Sequence, residues 1–261
     1  MWAALNQLLK GRAPRLQRIL KSAHRAVPVP LPQVVAGRWM LAHPTAPGGE
    51  AEQHVATWIE ELLRPGDTFF DVGAYVGWMA LVASKRVGRR GRVVAFEPSP
   101  PLAGLLRYHR RANLALNISI EELAVSDASG ISELYLNNFG HSSVNSLIDA
   151  AVSYQVHRNG RPEAVSVHTC TLDDYCEKKR CVPRVVKIDV EGAEGMVLRG
   201  ARQVLARYQP PLIVAVHPPL LPSGSGEEVF RLLERDGYKV SRSHTIAYDK
   251  SLWGDYLCVP M

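Results

Sequence analysis

Apolar positions recur along this chain with two different periods. Over residues 1–26, Trp2, Leu5, Leu8 and Leu9, then Leu16, Ile19 and Leu20, fall at helical spacing with basic residues between them. Pro28, Pro30 and Pro32 then stop any helix. A second helix is predicted over 50–63, ended by Arg64-Pro65-Gly66. From there, short apolar runs alternate with amphipathic stretches. Strands are predicted at 68–72, 92–96, 118–125, 185–190 and 212–217. Helices are predicted at 77–87, 100–115, 193–208 and 227–236, and an edge pair at 238–242 and 256–259. The runs are short and almost wholly apolar, as buried parallel strands require. The pattern therefore predicts an α/β fold of the doubly wound, Rossmann-like kind, with a mostly parallel sheet and an antiparallel edge.

One segment breaks the alternation. Between Asp127 and Val185, residues 132–136, 142–148 and 164–170 read as short β or loop elements, followed by a helix from Thr171. This is expected to be an insertion, about 128–184, that covers the site and carries substrate contacts. The chain thus divides into a basic helical arm with a Pro-rich linker over 1–49 and one α/β domain over 50–261.

Charge changes the picture only at the start of the chain. The net charge is +6, yet seven Lys and Arg residues and no acid precede Glu50. The basic excess belongs to the arm and the body is near neutral, so no nucleic-acid partner is expected. The arm reads either as a helix docked on the body or as one that meets a membrane surface or a partner. It also has the acid-free, Arg-rich character of a transit peptide, but with little serine. The four cysteines fit no zinc spacing and no signal peptide is visible, which suggests reduced thiols in a cytoplasmic chain.

The first chemical motif is Phe69-Phe70-Asp71-Val72-Gly73-Ala74-Tyr75-Val76-Gly77. An apolar strand ends in an acid, two glycines flank a tight turn, and a helix begins. Glycine suits a turn that a ligand must approach closely. Twenty positions after Gly77, at the end of the next strand, stands Glu97, where a carboxylate can accept hydrogen bonds from both hydroxyls of a ribose. The third glycine of a dinucleotide site is missing, and Asp71 would repel a pyrophosphate. S-adenosylmethionine (SAM) has no phosphate and carries two positive groups, so it is the expected cofactor. Asp71, Gly73, Tyr75, Gly77 and Glu97 are its candidate ligands, with Ser126 and Asp127 near the adenine.

The second motif is Lys187-Ile188-Asp189-Val190-Glu191-Gly192-Ala193-Glu194, a buried strand that opens into a helix. In an extended chain Lys187, Asp189 and Glu191 share a face. They emerge at a strand C-terminus, where open α/β sheets keep their ligands.

With both motifs in hand, the chain resembles the FkbM family of SAM-dependent methyltransferases over about residues 67–217. The resemblance rests on Phe70 to Ala74 with Gly77, on Ala95-Phe96-Glu97-Pro98 and on Ala124-Val125-Ser126-Asp127. It also rests on Thr171-Leu172-Asp173-Asp174, on Lys187 to Glu194 with Val197-Leu198-Arg199-Gly200-Ala201, and on His217. It implies a class I methyltransferase fold and O-methylation of a hydroxyl on a sugar, polyketide or other secondary metabolite. It implies SAM contacts at Asp71, Gly73 and Glu97, and an acceptor-side set of Asp189, Glu191 and His217, with Lys187 beside them. Asp189 is also expected to border the cofactor. Tyr75 departs from the family, which usually has Asn there. His141-Ser142-Ser143 looks like the family's Ser-Ser loop.

Methyl transfer to a hydroxyl needs alignment, exclusion of water and a proton acceptor. Asp189 and His217 both qualify as the base, His217 by its intrinsic pKa. Asp189, Glu191 and His217 are metal-ligand types, but no metal is expected from the sequence. An RNA 2′-O-methyltransferase and a catalytically silent SAM-binding protein are the rival readings. The near-neutral body speaks against the first and the intact Lys187–Glu194 run against the second.

Overall fold

The computed structural model describes residues 29–44, 46, 52–136, 147, 163–217, 226–245 and 253–261. The helix expected over 1–26 and the loop at 141–143 lie outside them. Twelve strands are described. They are β1 (Leu31–Val35), β2 (Arg38–Ala42), β3 (Thr68–Val72), β4 (Arg92–Phe96), β5 (Ile118–Glu121) and β6 (Ala124–Val125), then β7 (Gly130–Leu136), β8 (Glu163–Cys170), β9 (Val185–Ile188), β10 (Leu212–Val216), β11 (Tyr238–Thr245) and β12 (Gly254–Pro260). The helices are α1 (Gln53–Leu62), α2 (Trp78–Val87), α3 (Pro100–Ala112), α4 (Leu172–Lys179), α5 (Glu194–Arg199), α6 (Arg202–Tyr208) and α7 (Glu227–Arg235).

Seven strands form the main sheet in the order β11-β12-β10-β9-β3-β4-β5. β5, β4, β3, β9 and β10 run parallel, and β12 and β11 close the edge antiparallel. Period-two alternation explains why both faces are covered. Phe69, Val93, Ala95, Val185 and Ile213 belong to a core shared with α1, α2 and α3. Phe70, Val94, Phe96, Val186, Ile188 and Val214 belong to a second core with α4 to α7. The chain leaves β3 toward β4 on one side and returns to β9 on the other. The crevice where the order reverses therefore opens above the C-termini of β3 and β9.

Three expectations change. The Pro-rich stretch expected as a linker carries a hairpin, β1–β2. Its turn residues Ala36 and Gly37 have φ of 47° and 74°, the two positive values of a tight primed turn. Val35, Ala36, Met40 and Ala42 are buried in the first core, and Arg38 pairs with Glu60 of α1. Prolines stop a helix, but they are tolerated in this two-stranded ribbon.

The strand expected over 118–125 divides. β5 stays in the main sheet, while β6 leaves it to pair with β8 in a small sheet ordered β6-β8-β7. Glu121 and Glu122 stand at the break, where Glu121 accepts from the Tyr175 hydroxyl and Glu122 pairs with Arg107.

The helix expected over 193–208 breaks between α5 and α6. A Cβ on Gly200 would lie 2.0 Å from the Ser126 carbonyl oxygen, so the backbones nearly touch there. The Asp173 carboxylate then accepts from the backbone N–H of Gln203 and of Val204 and caps the new helix. All four cysteines are buried and unpaired. Among the described residues no helix is long and apolar enough to cross a membrane.

Candidate active site

The site is built where β3, β4 and β9 end side by side. Asp71 is fully buried on β3. Neither of its oxygens meets a hydrogen-bond partner among the described residues, and Lys187 Nζ stands 3.6 Å away. Burial pushes the Asp71 carboxyl up to about 6, against the pull of Lys187.

The turn that follows is held from β4. The N–H groups of Gly73 and Ala74 both donate to the Phe96 carbonyl, at 3.1 and 2.9 Å. Glu97 grips the turn and the next loop together. Its Oε2 accepts from the Tyr75 N–H at 2.8 Å and its Oε1 from the Ser99 N–H at 2.9 Å. Burial raises the Glu97 carboxyl to about 8 despite those two donors. Tyr75 lies in the left-handed region at φ 54°. Asn tolerates that conformation far better than an aromatic residue, which explains why Tyr75 stands out from the family pattern.

β9 supplies the second half. Asp189 N–H donates to the Val72 carbonyl at 3.0 Å, so the end of β9 is tied to the end of β3. Lys187 Nζ donates to Asp189 Oδ2 at 3.0 Å. Burial opposes the Lys187 charge, yet Asp189, Asp71 and Glu52 hold its pKa above the ordinary lysine value. Burial likewise pushes Asp189 up, but Lys187 and His217 draw it below the ordinary carboxylate range. Glu191, raised by burial to about 7, sits at φ 51° ahead of Gly192.

His217, just past β10, completes the group. Its Nδ1 bonds Glu194 Oε1 at 2.8 Å, and its Nε2 faces Asp189 Oδ1 at 3.8 Å and Glu191 Oε2 at 3.7 Å. Burial works against a charged imidazole, but Glu191, Glu194 and Asp189 overcome it and lift the pKa to about 10. The three carboxylates favour the protonated imidazole, so the intrinsic pKa of His217 no longer favours it as a base.

Most of these residues border one cleft, which neither Asp71 nor His217 lines. Gly73, Tyr75, Glu97, Lys187, Asp189 and Glu191 line it, with Trp78, Phe96, Leu102 and Val125 among its apolar walls. From the segment expected to cover the site, Leu134 and Leu147 reach it. Four of the proposed cofactor ligands do not line it, among them Asp71, which is fully buried on β3. Gly77 lies under Leu106 as the residue before α2. Ser126 hydrogen-bonds Asp127, and Asp127 pairs with Arg199, which also holds Glu228. They are two residues of a turn that packs on Gly200.

Two residues escaped the sequence. Glu52 precedes α1 without capping it, lines the cleft, and is raised by burial to about 7. Asp255 on β12 bonds His54 Nε2 at 2.7 Å, and its pKa is raised by burial and by Asp189. Neither belongs to a motif; only the sheet order carries Asp255 toward β9.

The donor set fits SAM. The orphaned Asp71 and the surplus of carboxylates over cations suit a ligand with a sulfonium and an ammonium group. The bare Cα of Gly73 lets the Asp189 backbone close against the turn that borders the cleft.

A family model described as "Methyltransferase FkbM domain" matches residues 71–240. No curated protein matches the chain. Among solved structures, an FkbM methyltransferase from Methylobacillus flagellatus KT is 16% identical, with a TM-score of 0.49 over 78% of this chain and 50% of its own. A protein provisionally described as an rRNA methylase, from Clostridium thermocellum, is 12% identical, with a TM-score of 0.51 over 80% of this chain and 93% of its own. One provisionally described as a SAM-dependent methyltransferase, from Streptococcus mutans, is 10% identical, with a TM-score of 0.52 over 90% and 56%. The chain spans about half the length of the first and third of these. At such identities the likeness speaks for the fold, that of the class I methyltransferases.

Proposed function

Because the chain belongs to the FkbM family of SAM-dependent methyltransferases, we propose that it methylates a hydroxyl oxygen of a sugar, polyketide or other small metabolite. The observation that carries this reading is the tie between the two motifs. The Asp189 N–H bonds the Val72 carbonyl, so the acceptor-side carboxylates begin where the cofactor turn begins. When bound, SAM supplies an electrophilic methyl group on a cationic sulfur.

The residues of the chain do the rest. Glu97 meets the ribose hydroxyls, and its two backbone hydrogen bonds hold it in place for them. Asp71 and Glu52 offer negative charge to the cationic end of the cofactor. Asp189 orients the acceptor hydroxyl and takes its proton as the oxygen–carbon bond forms. Lys187 keeps Asp189 ionised and fixed. The apolar walls, with Leu134 and Leu147, exclude water from the transfer.

Labelled SAM and a metabolite extract test the reading, with a product heavier by one methyl as the expected result. Asp189→Asn should lower turnover by about 100-fold or more while SAM affinity changes far less. Equal turnover in that variant removes Asp189 from the chemistry. Methyl transfer to no hydroxyl compound overturns the reading.

A further inference from the structure

Asp189, Glu191 and His217 each turn one electron-pair donor toward a common point. Among the described residues these are the three whose ligand atoms lie within 4.8 Å of one another as a metal-binding set. The distances from His217 Nε2 to Asp189 Oδ1 and Glu191 Oε2, 3.8 and 3.7 Å, are too long for hydrogen bonds. His217 is more than nine-tenths buried, yet its Nε2 makes no hydrogen bond among the described residues and points into this gap. Glu191 is likewise mostly buried and makes no side-chain hydrogen bond among them.

The surroundings match what a metal site needs outside its ligands. Glu194 Oε1 accepts a hydrogen bond from the Nδ1–H of His217, which fixes the ring, and a metal ion would take the place of the Nε2 proton. Lys187 holds the other oxygen of Asp189. Metal–ligand distances of about 2.0–2.2 Å require each side chain to close in by only about 1 Å. One nitrogen and two carboxylate oxygens suit a divalent first-row transition-metal ion. Three protein ligands leave coordination positions open, and Asp189 and Glu191 both face the cleft.

We infer that Asp189, Glu191 and His217 bind a divalent transition-metal ion whose open position takes the acceptor's hydroxyl oxygen. The second part deepens the methyltransferase reading and rests on it; the first does not.

Mn2+ alone, added to the full chain freed of metal by a chelator, tests the site without cofactor or acceptor. Loss of the free Mn2+ signal in electron paramagnetic resonance should titrate to one ion per chain. The bound ion should show coupling to a histidine nitrogen in spin-echo modulation, a readout that needs no variant. Glu194→Gln should weaken Mn2+ by about 10- to 100-fold, and His217→Gln should abolish both the uptake and the nitrogen coupling. No uptake, or bound Mn2+ without nitrogen coupling, overturns the inference and leaves a charged His217 held by carboxylates. A parallel SAM titration separates the two readings, since SAM binding with no Mn2+ uptake sinks the metal site alone. Mn2+ uptake without SAM binding instead overturns the methyltransferase reading.

Discussion

Gly73 packs its Cα against the carbonyl of Asp189 so closely that a Cβ there would lie 1.8 Å from the oxygen. The glycine turn and the charged end of β9 are therefore one unit. Gly73→Ala has to push β9 away from β3, and at φ 77° it also strains its own backbone by about 1–3 kcal/mol. The expected outcome is a lower melting temperature together with at least a tenfold loss of SAM affinity. Wild-type values in both measurements would mean the contact is not needed.

Glu97 commits both oxygens to backbone N–H groups. Glu97→Gln leaves one acceptor for two donors, so it should loosen Tyr75 or Ser99 as well as the ribose contact. An unmet buried donor costs about 1–3 kcal/mol. Calorimetric SAM titration should show weakening of about tenfold or more, and an unchanged constant would count against the ribose assignment.

Lys187 is the buried cation between Asp71 and Asp189, with its side chain 6% exposed. Lys187→Met leaves both carboxylates without their partner. Urea unfolding at neutral pH should show a loss of about 3–5 kcal/mol. Adding Asp71→Asn to that variant should restore part of it. A double variant no more stable than the single one would show that Asp71 does not depend on Lys187.

His109 holds the hairpin segment to the cofactor side by two bonds. Its Nε2 accepts from the His43 N–H at 2.9 Å, its Nδ1 donates to the Val76 carbonyl at 2.7 Å, and its ring stacks on Trp78. Burial lowers its pKa to about 4, so the folded chain keeps it neutral. The unfolded chain, with a pKa near 6.5, binds the proton first. Stability from this group is complete above pH 6.5 and falls as pH drops toward 4, by up to about 3 kcal/mol. The difference in unfolding free energy between wild type and His109→Phe, measured from pH 8 to 4, should shrink over that window. A flat difference would show that His109 protonates freely in the fold.

Much of this site is visible in local sequence because its two motifs are each contiguous. Strand, acid and glycine turn in 69–77 and the charged strand end at 187–191 require no knowledge of distant residues. Glu97 is nearly local too, being one strand–turn–helix–strand unit away. Other parts were not legible for definite reasons. The hairpin at 31–42 is hidden because Pro30 and Pro32 read as breakers and Ala36 is a poor residue for its positive φ. The break at Gly200 comes from the backbone of Ser126, a contact across distant sequence. Ser126 and Asp127 look like ligands because a strand end was expected there, but β6 turns away from the main sheet.

By itself, the sequence determined the doubly wound fold, the glycine turn with Glu97, and the family, because hydrophobic period and short motifs are properties of neighbours along the chain. Only the tertiary structure decided the electrostatics. It placed His217 between three carboxylates, brought Glu52 and Asp255 into the field of Lys187 and Asp189, and buried Asp71 without a hydrogen-bond partner among the described residues. A charge's pKa and its readiness to hold a proton or a metal depend on what surrounds it in space. That is set by sheet order and burial, which residue spacing does not record.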